Sequence, residues 1–97
     1  MNQLTPNELK AWIDGGRDFL LIDVRENWEH EAFNIGGTHI PMSEMMSRIN
    51  EVPKDKEVVM YCEKGIRTVI IIQRLEASGF HNIANLSGGM KAWKESL

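Results

Sequence analysis

Two short apolar runs limit what this chain can become. Phe19 to Val24 and Glu57 to Tyr61 are each of strand length, are bounded by turn or charged residues, and carry apolar side chains at consecutive positions. A strand with one face in water alternates apolar and polar residues, so an unbroken run reads as a strand covered on both faces. Around these runs the apolar positions recur at three- and four-residue steps, the period of helices. Covered strands alternating with helices predict an α/β layer fold, a small parallel sheet flanked by helices.

The remaining elements follow from local chemistry. Thr5 and Glu8 have the spacing of a capping box, Pro6 suits a first helical position, and Leu9, Trp12 and Ile13 share one face, predicting a helix to about Asp14 that stops at Gly15 and Gly16. A short polar helix is expected around Asn27 to Ala32, a turn at Gly36 and Gly37, and a brief strand at Thr38 to Ile40. Met42, Met45, Met46 and Ile49 predict a short amphipathic helix before the polar link Pro53 to Lys56. From Thr68 to Ser78 the run Val69 to Ile72 prefers a strand, but Gln73, Arg74, Glu76 and the stop at Gly79 make a helix the better reading. Ile83 to Leu86 is a last short strand, and Gly88 and Gly89 open a terminal helix on which Met90, Trp93 and Leu97 align. With no repeat, low-complexity stretch or linker, residues 1–97 are expected to form one domain.

Charge and composition exclude several functions. Eleven basic and fourteen acidic residues give a net charge of −3, with no basic cluster for nucleic acid. No apolar run approaches the roughly 20 residues that span a bilayer. The N-terminus shows no export signal, so a cytoplasmic monomer acting on a small solute or a protein partner is expected. A single cysteine, Cys62, cannot form an internal disulfide, a Cys-x-x-Cys pair or a multi-cysteine zinc site. His30, His39 and His81 lack ligand spacing and are read as structural, and the chain is expected to need no metal and no cofactor.

Cys62 falls at the carboxyl end of the second apolar strand, where ligands gather in open parallel sheets. The segment CEKGIR, Cys62 to Arg67, joins that strand to a helix start, and Gly65 permits a tight turn. Such a loop can aim several N–H groups at one point beside the positive end of a helix, with the sulfur at the centre. A nest of this kind stabilises negative charge on the sulfur adduct and on an anionic donor. Nearby, Asp23 ends the first strand and either caps the next turn or pairs with Arg67 or Arg25 at the sheet edge.

Three segments together resemble the rhodanese-like sulfurtransferases: LIDVRENWEHEAFNIGGTHIP from Leu21 to Pro41, the loop YCEKGIRT from Tyr61 to Thr68, and NLSGGMKAW from Asn85 to Trp93. The resemblance implies a rhodanese-like fold in which Cys62 accepts a sulfane sulfur as a persulfide. It then passes the sulfur to a thiophilic acceptor such as cyanide or a thiol. Glu63, Lys64, Gly65, Ile66 and Arg67 would bind the donor, with Asp23 and Arg25 in support. Cysteine phosphatases, the nearest rival, use a loop one residue longer between cysteine and arginine, which the resemblance associates with tetrahedral oxyanions. The alternative within the family is a persulfide carrier or relay module loaded by a persulfide-bearing protein. Three residues depart from the family's usual pattern: Glu63 after the cysteine, Ile66 in the loop and Thr38 in place of a frequent alanine. Glu63 would set a carboxylate against thiosulfate, with Lys64 as an offset. Trp12, Trp93 and the methionines 42, 45 and 46 are expected in the core, and Trp28 at the mouth of the site.

Overall fold

A computed structural model describes residues 1–97. Five strands form one wholly parallel sheet: β1 (Asn2–Leu4), β2 (Phe19–Asp23), β3 (Thr38–His39), β4 (Glu57–Tyr61) and β5 (Ile83–Leu86), in the spatial order β1-β5-β4-β2-β3. Four helices cover it: α1 (Pro6–Asp14), α2 (Asn27–Ala32), α3 (Arg67–Ala77) and α4 (Gly89–Glu95). The predicted α/β layer architecture is therefore the one observed. No helix is long and apolar enough to cross a membrane.

The two central strands explain their unbroken apolar runs. On β4, Val58 and Met60 point with Cys62 into a cluster that includes Ile71, Ile72 and Leu75 of α3. Val59 and Tyr61 point the other way, towards Leu9 of α1 and Met90 and Trp93 of α4. Both faces of the strand are dry, so both sets of alternating positions must be apolar. Each fully buried large side chain contributes about 1.5–3 kcal/mol, which is why strands this short persist. Register aligns Asp23 with Tyr61 and with His39, so the carboxyl ends of β2, β3 and β4 lie side by side.

Local signals act as read at most element ends. The Thr5 N–H donates to Glu8 Oε1 at 2.9 Å, and the Glu8 N–H donates back to Thr5 Oγ1 at 3.1 Å, completing the capping box. Packing overrides the strand preference of Val69 to Ile72, because α3 buries Ile71, Ile72 and Leu75 along one stripe. The β2 and β3 strands stop one residue earlier than expected, at Asp23 and His39.

Four expectations fail. The methionine-rich segment is not an amphipathic helix but two 3-10 turns, Met42–Glu44 and Ile49–Glu51. Its entry is tied to the sheet, since the Met42 N–H donates to the Val24 carbonyl at 3.0 Å, and tight turns fit the short path to β4 better than a straight helix. Met45 is buried there, but Met46 is half exposed. Leu97 lies past the end of α4 and is 78% exposed, so it does not extend the Met90–Trp93 stripe. Ile13 also faces outward, leaving Leu9 as the anchor of α1. Strand β1 carries no apolar pattern, and only Leu4 of its three residues is buried.

The capping box makes a direct prediction. Thr5→Ala should cost about 1 kcal/mol, which lowers the thermal midpoint of a domain this size by roughly 4–8 °C. Differential scanning calorimetry of the two proteins measures it.

Candidate active site

The loop from Cys62 to Arg67 leaves the carboxyl end of β4 and enters α3. Cys62 is 1% exposed, at the base of a cavity of about 320 Å³ lined by Glu29, Glu63, Lys64, Ile66 and Arg67. Its Sγ accepts the Gly65 N–H at 3.1 Å and lies 3.5 Å from the Thr68 hydroxyl. Gly65 reaches this position with φ of +82°, a conformation that strains any residue with a Cβ. The N–H groups of Lys64, Ile66, Arg67 and Thr68 have no acceptor within the chain. One loop donor thus touches the sulfur, and the others remain free at the positive end of an eleven-residue helix.

Helix α4 holds this loop from behind. Met90 and Lys91 donate their N–H groups to the carbonyls of Cys62 and Glu63, both at 2.9 Å. The approach is so close that a Cβ on Gly89 would lie 2.5 Å from the Cys62 carbonyl oxygen. The GG pair after Ser87 is therefore a contact requirement as well as a helix start.

Asp23 is completely buried and pairs with Arg25, not with Arg67. The Arg25 guanidinium donates to both carboxylate oxygens at 3.0 Å, the Arg25 N–H adds a bond at 2.9 Å, and His30 Nδ1 lies 2.8 Å from Oδ2. Burial works against the Asp23 charge, but the hydrogen bonds from Arg25 and His30 outweigh it and hold the carboxyl below its usual range. Arg25 also donates to the Phe33 carbonyl and leans on Glu63, with Nη1 3.4 Å from Oε1. His39 Nε2 contacts the Arg25 carbonyl at 2.8 Å, and its ring stacks on His30 with centroids 4.3 Å apart. The structural reading of these two histidines holds, but as part of a buried network that their spacing did not announce.

Arg67 makes a bidentate pair with Glu29 of α2, both contacts at 2.8 Å. The hydrogen bonds from Arg67 lower the Glu29 carboxyl against the opposing effect of burial. Arg67 also lines the cavity beside Cys62, and through Glu29 it braces the loop across to α2. Lys64 forms no ion pair and lines the same cavity. Trp28 is 71% exposed and lines an adjoining cavity of about 300 Å³ with Arg25, Phe33, Glu63 and Lys94. Glu29, Thr68 and Asn85 were not singled out from the sequence. For Glu29 the only signal was its capping relation to Glu26, whose N–H it accepts at 3.0 Å. No group of acidic, histidine or cysteine side chains converges as metal ligands do.

A covered parallel sheet, a cysteine at its carboxyl edge and a six-residue Cys-to-Arg loop running into a helix start define an α/β protein with its one thiol at the strand ends. The chain belongs to the rhodanese-like domain family, whose description matches residues 5–96. It is 31% identical over 90 residues to "Thiosulfate sulfurtransferase GlpE" of Coxiella burnetii, covering 91% of this chain and 84% of the relative. It is 35% identical over 97 residues to "Probable adenylyltransferase/sulfurtransferase MoeZ" of Mycobacterium tuberculosis, of whose length the match spans 25%. The human single-domain sulfurtransferase has a similar structure, with TM-score 0.83 and 26% identity, covering 100% of this chain and 98% of that one.

Removing the Asp23 charge should expose how much the network holds. Asp23→Asn leaves the buried Arg25 with only the partly exposed Glu63 as counter-charge and should cost about 3 kcal/mol near neutrality. Because folding lowers the Asp23 pKa, its stabilisation is complete above the ordinary value of about 3.9 and is lost as pH falls through the lower folded value. Urea unfolding from pH 7 to pH 3 should therefore show the gap between the two proteins narrowing only below about pH 4.

Proposed function

We propose that this chain is a rhodanese-type sulfurtransferase, moving a sulfane sulfur from thiosulfate or a persulfide donor to a thiophilic acceptor through a persulfide on Cys62. The observation that carries this reading is the position of Sγ, hydrogen-bonded to the Gly65 N–H at the base of a cavity whose other loop N–H groups lack acceptors. Names of the relatives support the same class of reaction.

In the first step the Cys62 thiolate attacks the outer sulfur of thiosulfate. A new S–S bond forms, the bond between the outer and central sulfurs breaks, and its electron pair leaves with sulfite. In the second step an acceptor thiolate or cyanide attacks the outer sulfur of the persulfide, and the electron pair of the breaking bond restores the Cys62 thiolate. No external oxidant or reductant is needed. The free loop N–H groups stabilise charge on the transferred sulfur, and Lys64 and Arg67 attract the anionic donor. Asp23 and Arg25 act in support by fixing the wall of the site. The Cys62–Arg67 loop is one residue shorter than the one the resemblance associates with cysteine phosphatases, which favours sulfur chemistry over a tetrahedral oxyanion.

Glu63 bears on the choice of donor less than its sequence position suggests, because its carboxylate leans towards Arg25 at 3.4 Å. A unit charge at ~7 Å from a dianion in water-like dielectric is worth about 1.2 kcal/mol before screening. With Arg25 and salt opposing it, roughly half remains. Glu63→Gln should therefore raise kcat/KM for thiosulfate about twofold at low ionic strength, with the gain fading at high salt. An equal gain at both ionic strengths would point to loop shape instead.

Sulfur loading tests the reading itself. Intact-mass analysis after incubation with thiosulfate, and separately with glutathione persulfide, should show one added sulfur on the native protein and none on Cys62→Ser. Transfer from thiosulfate to cyanide by the serine variant above the uncatalysed rate would refute the role of Cys62. Loading by persulfide alone, without thiosulfate turnover, would favour the carrier reading.

A further inference from the structure

Behind the sulfur lies a buried amide that the proposed reaction does not use. Asn85, in β5, is 2% exposed. Its Nδ2 donates to Gln3 Oε1 at 3.1 Å and to the Gly65 carbonyl at 3.3 Å. A backbone carbonyl only accepts, so the atom facing Gly65 must be the nitrogen, and Oδ1 is turned to Thr68. The Thr68 hydroxyl, itself fully buried, donates to that oxygen. A hydroxyl has one hydrogen. With it committed to Asn85, the Thr68 oxygen meets Cys62 Sγ, 3.5 Å away, with a lone pair. It can accept from S–H but cannot donate to an anionic sulfur.

We propose that Asn85 is a positioning residue which, by holding the Thr68 hydroxyl, disfavours the free Cys62 thiolate relative to the persulfide. When Sγ ionises, the hydroxyl must either face it with a lone pair or turn its hydrogen from Oδ1 to Sγ. The second choice strands Oδ1 without a donor in a buried site, which is unfavourable. In the persulfide the negative charge moves to the outer sulfur, away from Thr68, and Sγ becomes a neutral disulfide-type atom. The hydroxyl then keeps its bond to Asn85 at no loss. Asn85 thus biases the site towards the loaded form, and its link to Gly65 and Gln3 keeps the amide from rotating out of the way.

The inference rests on Cys62 as the reacting sulfur, but its test uses the free thiol with no sulfur donor, so it can fail independently of sulfur loading. The experiment is a double-substitution cycle read by the rate of iodoacetamide alkylation of Cys62 from pH 5 to pH 9. Asn85→Leu should speed alkylation at neutral pH about tenfold, the factor expected when a hydrogen bond to a charged group becomes available, and should move the rising limb of the profile to lower pH. In a Thr68→Val background the same substitution should change the rate less than twofold. Thr68→Ser, which keeps a hydroxyl, should restore the gain. If Asn85→Leu does not fold by circular dichroism, Asn85→Ala carries the same expectation. A gain that survives Thr68→Val would mean that Asn85 acts by loosening the Gly65 loop, and absence of any gain would mean that the hydroxyl is not held; either result overturns the proposal.

Discussion

Two backbone hydrogen bonds, from Met90 and Lys91 to the carbonyls of Cys62 and Glu63, fasten the sulfur loop to the helix behind it. Nearly every other feature of the site presupposes them. The loop turns at Gly65 with a positive φ and leaves several N–H groups without acceptors, an arrangement that a free loop would relax. The contact with α4 takes up the carbonyls on one side, so the N–H groups are left for the cavity. It also explains why a glycine stands at the first position of α4, where Gly89 passes within van der Waals range of the loop backbone.

Charge around the cavity is arranged in pairs that differ in burial. Asp23 and Arg25 are both enclosed and share their network with His30, while Arg67 and Glu29 join α3 to α2 nearer the mouth. A buried pair of this kind adds little net stability over apolar packing, but loss of one partner is costly. Its effect here is geometric: Arg25 reaches from Asp23 to the Phe33 carbonyl and to Glu63, tying the segment after β2 to the sulfur loop. Lys64 and Lys94 have no carboxylate partner and leave positive charge at the two adjoining cavities.

The fold was legible where burial leaves a strong local trace. The β4 boundaries, the capping box of α1 and the helix α3 all follow from side chains that face a dry interior or close a helix end. Strand β1 was illegible because it is three residues long and held by pairing with β5, and pairing leaves no apolar pattern. The methionine segment misled because helical spacing and a pair of 3-10 turns both bring Met42 and Met45 inward. In the site, Cys62 and its loop were readable from one short segment. Glu29 and Asn85 were not, because each acts on a residue distant in the chain, and a lone polar residue carries no mark of its partner.

The strand order has a consequence for the growing chain. Strand β1 pairs only with β5, and the backbone of the loop around Cys62 is fastened from behind by residues 90 and 91. Both connections wait for residues 83–91. At roughly 5–20 residues per second of translation, the interval between making residue 62 and residue 91 is about 1.5–6 s. During it Cys62 is present without the helix that fastens its loop from behind. The loop can take up its folded arrangement only once residues 90 and 91 exist, in the same closure that gives the first strand its neighbour.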